Sequence, residues 1–130
     1  MPAYKTGKIC YIEIPAEDIE TSAQFYASAF DWSIRQRGDG ATAFDDTVGG
    51  VSGTWVTGRP AMTEPGLLVY VMVADARATS GRLESLGAEI VQPVDPAASE
   101  VFFTFRDPAG NVLGVYQQPG LAADEATGQP

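Results

Sequence analysis

A chain of 130 residues with 45% apolar and 19% charged side chains has the balance of one ordinary globular domain, which excludes global disorder. The formal net charge of −9, with only eight Lys and Arg spread along the chain, excludes an electrostatic surface for nucleic acid or an anionic membrane. There is no histidine and one cysteine, Cys10, so an ordinary zinc site, a Ser-His-Asp triad and a Cys-His pair are all ruled out.

No signal peptide is evident, no apolar run is long enough to span a bilayer, and a single cysteine suits a reducing compartment. A cytoplasmic location is therefore expected. An all-oxygen cation site stays open in principle, and the Asp45-Asp46 pair, read as part of a turn, is its only local hint. No cofactor is indicated.

Residues 8–15 alternate as a strand, with Cys10, Ile12 and Ile14 on one face and Tyr11 and Glu13 on the other. Asp18 then caps a helix, in which Ile19, Ala23, Tyr26 and Phe30 form an apolar stripe and Asp31 is the stop. Three short strands follow at 32–36, 41–45 and 50–56, separated by turn-rich segments. Residues 57–66, rich in Pro and Gly, read as a linker.

The pattern then repeats. Residues 67–73 alternate Val69, Val71 and Val73 against Leu68, Tyr70 and Met72. Asp75 opens a second helix ending at Leu86, with Gly87 as its cap. Strands are expected at 88–91, 101–106 and 112–117, and Asp107-Pro108-Ala109-Gly110-Asn111 supplies the turn of the last hairpin. The tail, 118–130, is small, polar and acidic and reads as mobile.

The two halves, 8–56 and 67–117, therefore carry the same βαβββ order within one 1–130 domain. Each half has one helix for one sheet face, leaving the other face uncovered. The expected fold class is α+β, with two βαβββ units forming a curved mixed sheet, helices on the convex side and a concave cavity.

The chain resembles the vicinal oxygen chelate superfamily, which includes glyoxalase I, extradiol dioxygenases and bleomycin-resistance proteins. The resemblance rests on Asp18-Ile19-Glu20-Thr21-Ser22-Ala23-Gln24-Phe25-Tyr26, Phe30-Asp31-Trp32, Leu86-Gly87-Ala88-Glu89-Ile90, and the Asp107–Gly114 hairpin sequence. In metal-dependent members, the resemblance implies ligands at positions that fall here on Tyr11, Leu68 and Gly114. The fourth lies near residues 50–56, a segment without His, Asp or Glu. Metal chemistry is not supported by that set, and no metal residue is assigned.

The alternation places Tyr11, Glu13, Leu68, Tyr70, Met72, Gly114 and Tyr116 toward the cavity, an aromatic lining suited to a small organic molecule, aromatic or cationic. Phe44, Trp55 and Phe103 are further candidates for ligand contact whose parity, like that of Phe105, the pattern leaves open. The same aromatics could instead fill core or a dimer interface. Glu13, if buried, would have a raised pKa and could act as a general base; hydrogen bonding to a tyrosine or solvent exposure are its plainer alternatives. Cys10 is expected to pack under the helix, and Arg106 to lie at the surface or bind a carboxylate.

Three functions remain in competition: a metal-independent binding protein, a metal-free isomerase, epimerase or lyase using Glu13, and an assembly or regulatory subunit with a filled cavity. A homodimer is expected, because sheet edges need cover.

Overall fold

The computed structural model describes residues 5–127. The element order is β1 (Tyr11–Pro15), α1 (Ile19–Phe30), β2 (Ser33–Gln36), β3 (Thr42–Asp45), β4 (Ser52–Val56), β5 (Tyr70–Val73), α2 (Ala76–Ser85), β6 (Glu89–Gln92), β7 (Phe102–Arg106), β8 (Val112–Gln117) and α3 (Leu121–Thr127). The chain divides into two compact units between Ala61 and Met62. Each unit is a βαβββ arrangement with its own four-stranded mixed sheet, in the orders β1-β4-β3-β2 and β5-β8-β7-β6. In each, the first strand pairs parallel with the last, and the remaining pairs are antiparallel.

In the first unit, α1 starts where Asp18 accepts hydrogen bonds from the amides of Glu20 and Thr21 at 3.1 and 3.3 Å, satisfying donors that a helix cannot pair internally. It stops at Asp31, whose φ of 62° is left-handed; Asp is one of the few non-glycine residues found there. The helix lies on the face carrying Ile12, Ile14, Phe44 and Trp55, and its Tyr26 enters the core. Tyr26 stacks on Trp32 at 4.8 Å and Trp32 stacks on Phe44 at 4.5 Å; Phe44 in turn meets Trp55 at 4.8 Å. Such pairs each contribute about 0.5–1.5 kcal/mol beyond area burial. Gly53 makes the stack possible. A Cβ there would lie 2.3 Å from the Ile12 carbonyl oxygen and 2.4 Å from Phe44 Cζ.

In the second unit, Asp75 caps α2 through the Ala78 amide at 3.0 Å, and Gln117 Oε1 accepts from the Ala76 amide at 2.9 Å. Gly87, with φ of 92°, ends the helix. The core of this unit holds Leu83 with Phe103, Phe105, Leu113 and Val115, all buried. The last hairpin is held by its own side chains. Asp107 Oδ1 accepts from the amides of Ala109 and Asn111, and its Oδ2 accepts from Asn111 Nδ2 at 2.9 Å. Asn111 Oδ1 accepts from the Met62 amide, and the Val112 amide donates to the Met62 carbonyl, both at 2.8 Å. The segment read as a linker is thus anchored: Met62 pairs at the start of β8, and Arg59 is ion-paired to Glu13 in the first unit.

Two local expectations are corrected. Part of the tail read as mobile forms α3, Leu121–Thr127; residues 128–130 lie outside the described residues. Cys10 precedes β1 and is exposed rather than packed under a helix, because regular pairing begins only at Tyr11.

The two sheet glycines separate backbone from side-chain crowding. Gly53→Ala should cost about 1–3 kcal/mol or more, since a backbone carbonyl blocks the new methyl group. Gly114→Ala should cost less, because there the obstacle is a half-exposed tyrosine ring that can move. Urea denaturation of both variants checks the order.

Candidate functional site

Strand alternation sends Tyr70, Met72, Phe102 and Tyr116 to the face of the second sheet opposite its buried core. The register is explicit: Met72 stands beside Tyr116 across the β5–β8 pair, and Tyr116 beside Phe102 across β7–β8. Together with Glu100 they line a shallow depression of about 490 Å³. Tyr70 and Met72 are 46% and 58% exposed, unusual for large apolar groups on a strand.

The depression has a floor because Gly114 has no side chain. An ideal Cβ at Gly114 would lie 2.5 Å from Cδ2 and Cε2 of Tyr70, so the tyrosine ring lies directly against this bare stretch of β8. Phe102 meets the same ring edge-on, with centroids 6.1 Å apart at 77°. Among the described residues, no hydrogen bond engages the hydroxyls of Tyr70 or Tyr116, and no ion pair engages Glu100. All three are available to a ligand.

The remaining sequence candidates fall elsewhere. Leu68 precedes β5 and is half-buried. Phe44 and Trp55 belong to the stacked core under α1, and Phe103 is fully buried; the parity left open by the sequence puts all three on the helix-covered faces. Phe102, its neighbour, is the residue that reaches the depression. In the run Phe102-Phe103-Thr104-Phe105-Arg106, Thr104 and Arg106 share the face of Phe102 and mark it as the one away from the core. The pairing of Phe103 with the buried Val115 agrees with that parity.

Tyr11 and Glu13 stand on the face of the first sheet away from α1, among polar groups that sequence reasoning missed. Tyr11 Oη accepts from Arg37 at 2.8 Å, with the guanidinium carbon 5.8 Å from the ring centroid. Glu13 is half-exposed and ion-paired with Arg59 at 2.8 Å, so the burial on which a poised base depended is absent. Asp45 is in β3, not in a turn; it accepts from Arg35 Nε at 2.8 Å and from the Ser52 hydroxyl at 2.5 Å. Asp46 is occupied by the Gly50 amide at 2.7 Å. Arg106 is engaged by Glu89 at 3.4 Å and donates to the Gly110 carbonyl. Every arginine on this side of the first sheet therefore has a partner.

A metal ion does not fit these residues. Leu68 and Gly114 offer no donor atom, Tyr11 is bonded to Arg37, and Tyr70 occupies the space that any side chain at position 114 would need. Among the described residues, no three His, Cys, Asp or Glu side chains gather as a metal site.

A model of the glyoxalase-like domain matches residues 11–116. The chain belongs to the glyoxalase-like domain family. It is 26% identical to the anthracycline biosynthesis protein DnrV of Streptomyces peucetius over 152 aligned positions, covering all of this chain and 54% of DnrV. The chain thus spans about half the length of the curated relatives it first matches. Among solved structures, it shares the fold of the fosfomycin resistance protein FosX from Listeria monocytogenes, with TM-score 0.73, 14% identity and coverage of 88% of this chain and 93% of the other. It also shares the fold of TnmS3, an antibiotic binding protein from Streptomyces sp. CB03234, with TM-score 0.66, 22% identity and coverage of 88% and 98%.

The Asp45 cluster gives a pH expectation. The hydrogen bond from Arg35, followed by that from Ser52, holds the Asp45 carboxyl below its ordinary range. A lowered folded-state pKa stabilises at neutral pH, and the gain is lost as pH falls through the lowered value. The stability difference between the wild type and Asp45→Asn, small because solvent screens the pair, should shrink as pH falls from about 5 through and below the ordinary carboxylate value of about 4. Chemical denaturation across that range measures it.

Proposed function

We propose that this protein binds a small organic molecule, without a metal ion, on the aromatic face of its second unit. The observation that carries this reading is the Tyr70 ring lying on Gly114, walled by Phe102, Tyr116 and Met72. Aromatic and thioether side chains held open to solvent have no folding advantage there, and a flat apolar ligand would remove their surface from water. A concave aromatic lining with a few polar groups is the usual makeup of a small-molecule site. The described roles of TnmS3, in antibiotic binding, and of DnrV, in anthracycline biosynthesis, agree with a small-molecule ligand.

Binding is favoured over turnover because Glu13, the base that the isomerase, epimerase or lyase reading requires, is half-exposed and ion-paired with Arg59. The hydroxyls of Tyr70 and Tyr116, unpaired among the described residues, orient a ligand by hydrogen bonds. We place the protein in the cytoplasm; among the described residues, no helix is long and apolar enough to cross a membrane. A homodimer suits the exposed edge strands β2 and β6.

A thermal-shift and calorimetric screen of planar aromatic metabolites and antibiotics tests the reading. Hits should bind equally in EDTA and in Mn²⁺, Ni²⁺ or Zn²⁺. Phe102→Ala and Tyr116→Ala should each weaken them by about tenfold or more, while Glu13→Gln leaves them unchanged. Binding that requires a metal, or that survives both aromatic truncations, would overturn it.

A further inference from the structure

The second unit is the more acidic one, and one of its carboxylates, Glu100, lines the aromatic hollow. From Met62 onward, three Arg face nine Asp and Glu, a formal −6 of the chain's −9. Two of those arginines, Arg77 and Arg82, lie on α2, which packs against β6, β7 and β8. The third, Arg106, is at the far end of β7 from Phe102 and is engaged by Glu89. None of the residues lining the depression is basic. Glu100 is its one charged group, exposed and without an ion pair among the described residues.

We propose that Glu100 and the Tyr70–Phe102–Tyr116 rings together select a cationic ligand, an ammonium group carried on an aromatic frame. This rests on the small-molecule reading above and narrows its chemical class. Ring faces attract a cation through their quadrupole, and the attraction grows as the site sheds water. The edge-on meeting of Phe102 with Tyr70 presents two differently oriented ring surfaces to one volume, as recognition of a bulky ammonium requires. Glu100 adds the counter-charge at the rim, where a carboxylate accepts charge-assisted hydrogen bonds from primary or secondary amines and a Coulombic contact from quaternary ones. The field of the acidic unit speeds the encounter and repels anions of the same shape.

A matched pair of probes tests this: (4-hydroxyphenyl)trimethylammonium and its neutral isostere 4-tert-butylphenol, titrated by NMR at low and high salt. The wild type should hold the cation roughly tenfold more tightly than the phenol. Glu100→Gln should weaken the cation by about three- to tenfold and leave the phenol unchanged, with added salt narrowing the gap more in the wild type than in the variant. Phe102→Ala should weaken both probes. Equal affinities for the two probes, or a cation preference untouched by Glu100→Gln, would overturn the charge selection while leaving the aromatic site standing. If neither probe is held at millimolar concentration, the site reading falls with it.

Discussion

The Tyr70 ring can rest on β8 only because position 114 has no side chain, and the proposed binding surface follows from that contact. A Cβ at 2.5 Å would force the ring away, and with it the partner that Phe102 meets edge-on. The same contact bears on the proposed metal independence. Where the resemblance to metal-dependent relatives expects a glutamate, the chain has glycine, and the vacated space is filled by an aromatic ring. A glycine at this position offers no donor atom and leaves room for the Tyr70 ring.

The two units show how one βαβββ plan can be spent in different ways. In each, a glycine on the last strand of the unit is covered by an aromatic ring. In the first, Phe44 covers Gly53 on the helix side, within a stack running from Tyr26 through Trp32. The opposite face is left to Tyr11, Glu13, Asp45 and the arginines that hold them. In the second, Tyr70 covers Gly114 on the side away from the core, so the apolar surface is presented outward. The first face is polar and internally paired; the second is aromatic, with its hydroxyls and Glu100 unpaired among the described residues.

Much of this was legible in the sequence. Asp18, Asp31, Asp75 and Gly87 marked helix ends because capping is a local event, decided within four residues. Strand parity placed Tyr70, Met72 and Tyr116 on one face, and Gly114 under them. What depended on distant partners was not legible. Arg37 reaches Tyr11 from 26 residues away, and Arg59 reaches Glu13 from the Pro-rich segment, so a carboxylate that looked poised is instead ion-paired. Phe44 and Trp55 required the ring stack to be assigned to the core, and Phe102 was passed over for Phe103 although Thr104 and Arg106 share its face. The Met62 anchor needed Asn111, 49 residues on.

The most direct test is the NMR spectrum of Gly114 during titration with an aromatic ligand. Its α-protons should carry a ring-current shift that disappears in Tyr70→Ala. In the wild type, ligand should perturb Gly114, Phe102 and Tyr116 more than any other residues. A Gly114 signal indifferent to Tyr70, or ligand perturbations centred on Tyr11 and Glu13, would contradict the account.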